Sequence, residues 1–155
     1  MNKILFMNCS PNKSGNTYHI GEKILENIEH SVLQMVDYKV YQYGQAYEDD
    51  QIKDIFKEIE KVDTIVIGAP VYWYTIGGIL KTFIDRLYML DDAKKLNGKK
   101  LYFFAQGEAP DNMTKESITF LANRVSALMG MELKKVIIDT SDGKEIINNM
   151  KIANI

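Results

Sequence analysis

The chain has 155 residues, of which 46% are hydrophobic and 26% are charged, and its formal net charge is −2. This size predicts a single domain over residues 1–155, and the ordinary composition indicates a globular protein without naming a function. The weak charge argues against a nucleic-acid or acidic-membrane partner, and one cysteine excludes an internal disulfide within the chain.

The compartment is predicted from two further features of the sequence. No apolar run approaches the roughly 20 residues of a membrane span, and no basic segment followed by an apolar stretch opens the chain. A single cysteine suits a reducing compartment. We therefore expect a cytoplasmic protein that does not associate with membranes.

The stretch KILFMNCSPNKSGNTY, residues 3–18, passes from an apolar strand through a loop of small polar residues into a helix. Ile4 to Met7 form an unbroken apolar run, which is typical of a strand buried on both faces of a parallel sheet. Gly15 is expected to turn the backbone with positive φ, and Asn16 or Thr17 to cap the helix. A helix start surrounded by short donors predicts a phosphate site, with an ordinary capped turn as the alternative.

Other phosphate-loop patterns do not fit this stretch. The dinucleotide pattern G-x-G-x-x-G is absent, and Ser14-Gly15-Asn16-Thr17 lacks the Gly-Lys-Ser/Thr of a Walker loop. A cysteine-phosphatase loop starting at Cys9 would need an arginine where Gly15 stands. We therefore interpret Cys9 as a small apolar residue at the end of the strand.

The next segments read as a helix, an edge strand, a second helix and a buried strand. Helical periodicity runs over residues 20–32, and alternation over 34–43 predicts a less buried strand. The acids 48–50 are expected to open a helix over 52–62, an interpretation preferred to a metal site because no histidine or second carboxylate pair completes one. Residues 64–69 predict the third strand, ended by Pro70.

Three consecutive aromatic residues follow that strand. Tyr72, Trp73 and Tyr74 cannot all face a core, so at least one ring should be presented outward to a flat ligand or a partner subunit. The alternative is that the rings merely cover the sheet end or form a dimer contact. In the helix that follows, Lys81 and Asp85 stand at i,i+4, where they can pair.

The last third of the chain completes the sheet. A strand over 101–105 leads into the loop 106–110, in which Gly107 suits close backbone approach, and Gln106 and Glu108 are either ligand contacts or solvated loop residues. Thr114 is expected to cap a helix that ends at Gly130, and a strand over 136–138 and a short final helix follow. This alternation predicts an α/β fold, a doubly wound five-stranded parallel sheet in the order 2-1-3-4-5.

Two motifs resemble a known family. Residues 10–17, SPNKSGNT, resemble the phosphate loop of the flavodoxin-like NAD(P)H-dependent FMN reductases, and residues 70–86 are similar to their second FMN loop and the following helix. The resemblance implies that the FMN phosphate is bound by Ser10, Asn12, Ser14, Gly15, Asn16 and Thr17. It implies that the flavin ring lies along Pro70, Val71, Tyr72 and Trp73. It also implies contacts from Gln106 and Gly107 to the polar edge of the ring. Tyr74 departs from the small residue that many members have, and Lys81, Asp85 and Arg86 look structural.

The resemblance implies an FMN-dependent oxidoreductase that takes electrons from NADH or NADPH and passes them to a small acceptor, namely a quinone, a nitroaromatic or a flavin. It implies no catalytic side chain and no metal, because FMN carries the chemistry. Iron-sulfur relatives carry a cysteine-rich insertion where residues 43–47 are free of cysteine, which excludes a cluster on ligand count. A homodimer is expected. The alternatives are a flavodoxin-type electron carrier and a regulatory domain without cofactor.

Overall fold

The computed structural model describes residues 2–88 and 90–152, which form a six-stranded sheet with helices on both faces. The strands are β1 (Ile4–Asn8), β2 (Ser31–Gln34), β3 (Thr64–Tyr72), β4 (Thr75–Ile76), β5 (Lys100–Gly107) and β6 (Glu132–Thr140). Five of them are parallel in the order β2-β1-β3-β5-β6, and β4 pairs antiparallel with the end of β3. The predicted doubly wound sheet and its strand order are therefore confirmed, with one added hairpin.

The helices are α1 (Asn16–Ile24), α2 (Ile52–Glu60), α3 (Gly78–Arg86), α4 (Asn112–Leu128) and α5 (Lys144–Asn149). Short 3-10 turns occupy Met35–Asp37 and Asp91–Leu96. The apolar faces of α1 and α5 pack against one side of the sheet, and those of α2, α3 and α4 against the other. Within the described residues, every helix is too short or too polar to cross a bilayer.

The second strand and the helix before it differ from the sequence prediction. The helix α1 ends at Ile24 instead of continuing to Val32, and Asn27 adopts a positive φ of 66°. Val32 lies in β2, so the predicted strand over 34–43 is wrong and this region is mostly irregular. An edge strand pairs on one side only, and β2 takes its register from β1, a contact that local periodicity does not encode.

The third strand continues through Pro70, contrary to the prediction that this residue ends it. β3 runs to Tyr72 and pairs with β5 as far as Pro70 opposite Gln106. Pairing of β3 with β1 ends at Gly68, so no carbonyl of β1 requires an N–H from the proline. Gln106 and Gly107 consequently lie in β5 and not in the loop after it.

Two predicted helix caps are also wrong. The cap of α4 is Asp111, whose Oδ1 accepts from the Thr114 N–H at 2.8 Å, while Thr114 lies buried in the first turn. The N-cap position of α1 is Gly15, and neither Asn16 nor Thr17 caps the helix through its side chain. The prediction of a final turn over 141–143 followed by a short helix is confirmed by α5.

Candidate functional site

Three connections meet at the carboxyl edge of the sheet. We call residues 9–15 the first loop, residues 72–75 the aromatic hairpin, and residues 108–111 the third loop. The N–H of Cys9 donates to the carbonyl of Gly68 at 2.9 Å, so the first loop leaves the sheet beside β3. The side chain of Gln106 donates to Thr17 Oγ1 at 3.0 Å, which joins the end of β5 to the start of α1. The predicted site residues of three distant segments thus share one edge.

The ends of β3 and β5 approach each other closely at Gly107. A Cβ placed on this glycine would lie 2.8 Å from Val71 Cβ. The sequence interpretation of Gly107 as a point of close backbone approach is therefore supported, and the approaching group is the neighbouring strand. A side chain at residue 107 would therefore crowd the end of β3 next to the aromatic hairpin.

The first loop is held in shape by its own side chains. Ser10 Oγ accepts from the Asn12 N–H at 3.1 Å, and Asn12 Oδ1 accepts from the Ser14 N–H at 3.1 Å. Gly15 has φ −87°, so the predicted positive φ is wrong. Its need for glycine is spatial, because a Cβ there would lie 2.9 Å from Asn12 Nδ2.

The electrostatic environment at the start of α1 differs from that of most helix starts at the carboxyl edge of the sheet. Aspartate side chains accept N–H groups at the starts of α2, α4 and α5, through Asp50 to Ile52, Asp111 to Thr114 and Asp139 to Glu145. Among the described residues, no side chain caps α1 or α3, which follow β1 and the aromatic hairpin. Their unpaired N–H groups and positive dipole ends favour an anion, whereas the three aspartates would repel one.

The side chains around the start of α1 offer mostly neutral donors. Ser14 and Asn16 are exposed, while Ser10 is nearly buried and Thr17 is fully buried against Gln106. The Lys13 ammonium is paired with Asp37 at 2.5 Å. Hydroxyls, an amide and backbone N–H groups are a donor set that fits a phosphomonoester.

The aromatic hairpin is strained. Trp73 and Tyr74 have φ values of 49° and 62°, and they are the central residues of a two-residue turn between the paired Tyr72 and Thr75. Such turns favour Asn-Gly, because side chains in the left-handed region cost about 1–2 kcal/mol per residue. The side chains of Tyr72, Trp73 and Tyr74 are 47%, 92% and 71% exposed, which confirms that at least one ring is presented outward.

Two amide side chains beside the first loop, Asn8 and Gln34, were not predicted from the sequence as part of the site. Asn8 Nδ2 donates to Gln34 Oε1 at 2.7 Å, and Asn8 Oδ1 accepts from the Ser10 N–H at 3.2 Å. Gln34 Nε2 in turn donates to the carbonyl of Lys13 at 3.3 Å. A polar residue closing a buried strand was the available signal for Asn8. Gln34 gave no signal, because its strand was misplaced.

Arg86 and Cys9, which were also considered in the sequence, have structural roles. Arg86 donates to the carbonyl of Tyr41 at 2.8 Å and pairs with Asp50, fastening α3 to the segment before α2. Burial acts most strongly on Asp50 and tends to raise its pKa, but the hydrogen bond and charge of Arg86 together with the N–H groups of Ile52 and Tyr41 outweigh burial, and the pKa lies below its ordinary value. Cys9 is fully buried, and burial raises its pKa, so the thiol is not poised as a nucleophile. Within the described residues, no cluster of His, Cys, Asp or Glu could hold a metal.

A parallel sheet in this order, with helices on both faces, defines a flavodoxin-like fold. Residues 2–131 match the family model described as NADPH-dependent FMN reductase, and the chain belongs to that family. The family suggested by residues 10–17 and 70–86 is thereby confirmed.

Curated relatives share part of their length with this chain. It is 32% identical over 100 residues to an iron-sulfur flavoprotein of Archaeoglobus fulgidus, a match that covers 56% of the chain and 49% of the relative. It is 35% identical over 80 residues to an FMN-dependent NADH:quinone oxidoreductase of Idiomarina loihiensis, covering 41% and 43%. The chain thus spans about half the length of the curated relatives that it matches. Its single cysteine is fewer than the four that hold an all-cysteine cluster.

Solved structures share the fold over most of their length. The Trp repressor binding protein of Bacillus subtilis superposes with a TM-score of 0.69 at 24% identity, covering 87% of this chain and 86% of that protein. An FMN-dependent NADH-azoreductase of Bacillus anthracis, solved with FMN, superposes with a TM-score of 0.70 at 16% identity, covering 96% and 93%. At these identities the likeness shows the fold alone.

Proposed function

We propose that this chain binds FMN at the carboxyl edge of its sheet and passes electrons from NADH or NADPH to a small acceptor, such as a quinone, a nitroaromatic or a free flavin. One observation carries the proposal: the uncapped start of α1 lies at the same edge as the exposed aromatic hairpin. Membership of the FMN reductase family supports it, as does the name of the quinone oxidoreductase relative.

The proposed phosphate contacts come from the first loop and the start of α1. Ser14 and Asn16 are the exposed donors, and Ser10 and Asn12 maintain the loop, in which Gly15 leaves the space that Asn12 occupies. Thr17 is buried and accepts from Gln106, so it orients the start of α1 against the end of β5. We call the first loop and the first turn of α1 the phosphate cradle. Its neutral donors would bind the phosphate dianion without a direct contact from a lysine.

The flavin ring is proposed to lie along Pro70, Val71, Tyr72 and Trp73, with its polar edge near Gln106 and Gly107. A helix dipole contributes only about 0.3–1 kcal/mol, whereas micromolar binding needs about 8 kcal/mol. The exposed apolar faces of the hairpin rings must therefore supply much of the affinity.

Bound FMN would supply hydride acceptance and onward electron transfer by its own chemistry. The chain contributes binding, orientation and one open face for donor and acceptor. No nucleophile or matched base is required, and the inert state of Cys9 agrees with this.

Reconstitution with FMN followed by desalting tests the proposal. We expect yellow flavin absorbance to stay with the protein, and anaerobic NADH or NADPH to bleach it faster than it bleaches free FMN. A flavodoxin-type carrier would retain its flavin but leave it oxidised in stopped-flow mixing. A domain without cofactor would show no stabilisation by FMN, whereas a true binder gains about 2.7 kcal/mol at a hundredfold excess over Kd.

The assembly and compartment are part of the same proposal. We propose a single FMN-binding domain over residues 1–155, acting as a homodimer in a reducing cytoplasm. The exposure of Trp73 and Tyr74 and the single cysteine support these points. Sedimentation equilibrium of the purified chain tests the dimer, and a mass of one chain across micromolar concentrations would contradict it.

A further inference from the structure

The inference concerns Asn8, the last residue of β1, and rests on the proposed function. Its side chain is fully buried, and both halves of its amide are used. Asn8 stands opposite Gln34 in the parallel register of β1 and β2, so their side chains meet on the same side of the sheet. The short bond between them, 2.7 Å, ties the start of the first loop to the edge strand.

Gln34 carries this connection onward to the middle of the loop. Its Nε2 donates to the carbonyl of Lys13 at 3.3 Å, and the side chain of Lys13 pairs with Asp37 in the turn that follows β2. The first loop is therefore attached to β2 and its continuation through both the backbone and the side chain of Lys13.

These contacts determine which backbone groups the loop offers to an anion. The Lys13 carbonyl accepts from Gln34 and so faces β2, and the Ser10 N–H is directed into Asn8. A carbonyl turned toward a phosphate would repel it. A loop fixed beforehand also loses less conformational freedom when the phosphate binds.

We propose that Asn8 and Gln34 are positioning residues that hold the first loop in its phosphate-accepting shape, and that they thereby set the preference for FMN over riboflavin. The two flavins share the ring and differ in the 5′-phosphate. A residue that acts through the phosphate loop changes the ratio of their affinities, whereas a residue that supports the fold in general changes both alike.

Gln34→Met tests the proposal, because it keeps the length of a half-buried side chain and removes both hydrogen bonds. Gln51→Met is the matched control: this half-buried glutamine also bonds a backbone group, the Lys39 N–H at 2.9 Å, but not one of the first loop. Each apoprotein is titrated with FMN and with riboflavin by quenching of flavin fluorescence. Both Kd values are measured on the same variant. A general loss of stability that lowers Tm therefore affects both alike and leaves their ratio unchanged.

We expect Gln34→Met to weaken FMN binding about tenfold and riboflavin binding less than twofold, since two hydrogen bonds that order the loop are lost. Gln51→Met should leave the ratio at the wild-type value. Hydrogen exchange of residues 10–15 should accelerate only in Gln34→Met.

The outcomes separate the inference from the function on which it rests. If the wild-type chain binds neither flavin, the proposed function fails and the inference fails with it. If it prefers FMN but Gln34→Met leaves that preference unchanged, only the inference is overturned. Equal losses for both flavins, or the same loss of preference in Gln51→Met, also overturn it.

Discussion

The first loop and the aromatic hairpin lie at the same sheet edge but are built in opposite ways. In the first loop, side chains satisfy the backbone and no residue adopts a positive φ. In the hairpin, two bulky residues occupy the left-handed region and their rings extend into solvent. The hairpin conformation is maintained by pairing of β3 with β4 and by a bond of 2.9 Å from the Gly77 N–H to the Pro70 carbonyl.

Because of this contrast, we expect the first loop and the aromatic hairpin to respond oppositely to substitution. Changes in an ordered loop should reduce affinity with little gain in stability. Changes that relieve strain in the hairpin should stabilise the fold, and they should weaken binding only if they also remove a ring that contacts the ligand.

Asn16→Asp should weaken flavin binding most, because Asn16 is an exposed donor at the start of α1. The carboxylate would stand among donors meant for a phosphate dianion, and we expect FMN affinity to fall about 100-fold, or about 2.7 kcal/mol. Stability should hold or rise slightly, since an acid suits a helix start.

The control for this change is Asn148→Asp, which adds the same charge to an exposed position on α5. Isothermal titration with FMN and thermal unfolding are measured on both variants. An unchanged Kd for Asn16→Asp would mean that the phosphate does not bind at this helix start.

A smaller effect is expected beside the aromatic hairpin, where the ends of β3 and β5 approach each other. Gly107→Ala would bring a Cβ to 2.8 Å from Val71 Cβ, and we expect a loss of about 1–3 kcal/mol in the free energy of unfolding. Gly78→Ala is the matched control, because a Cβ there meets no atom within 4 Å. Denaturant unfolding distinguishes them, and equal stability of the two variants would show that the strand ends are not tightly packed.

The hairpin itself is probed by Trp73→Gly and Tyr74→Gly. Each removes a side chain from the left-handed region, and we expect each to raise the free energy of unfolding by about 1 kcal/mol. FMN affinity should fall about tenfold in Trp73→Gly, because a ring contact is lost, and change little in Tyr74→Gly. Equal FMN affinities for the two variants in a titration would contradict the assignment of Trp73 to the flavin ring.

The smallest expected effect concerns the capped helix start that contrasts with α1. Hydrogen bonds from the side chain and backbone of Thr114 hold the pKa of Asp111 below its ordinary value. The cap is therefore present at neutral pH and is lost as the pH falls through that lowered pKa. Asp111→Ala should lower Tm by about 2–4 °C at pH 7, and the difference should shrink in acid well below about pH 3.9, because the protonated carboxyl keeps only a neutral acceptor oxygen.

Asp111→Asn is the control for this titration. It retains a neutral acceptor oxygen that does not titrate, so its Tm difference from Asp111→Ala should be about the same at every pH. Circular dichroism melts from pH 2.5 to 7 measure all three proteins. A Tm difference between the wild type and Asp111→Ala that is as large at the lowest pH as at pH 7 would contradict the role of the charged carboxylate.

Most of the sheet could be predicted from the sequence because its central strands are continuous apolar runs. β1, β3 and β5 are buried on both faces, and such strands can be recognised from a few consecutive apolar residues. β2 was misplaced because it is short, lies at the edge and takes its register from β1. The phosphate cradle was predicted from its small polar residues. The cap of α1 and the φ of Gly15 depend on neighbouring residues that the local sequence pattern does not specify.

The strand order and the two motif stretches could be read from the amino-acid sequence alone, because apolar runs mark buried strands and parallel strands need helical crossovers. The family was indicated by the resemblance of residues 10–17 and 70–86 to the FMN reductases. Three features became apparent only in the folded chain: Gln106 donates to Thr17, Gln34 donates to the carbonyl of Lys13, and Trp73 and Tyr74 form a strained turn. Local periodicity cannot specify any of these features. The hydrogen bond between Gln106 and Thr17, for example, spans 89 positions and is set by the packing of the whole sheet.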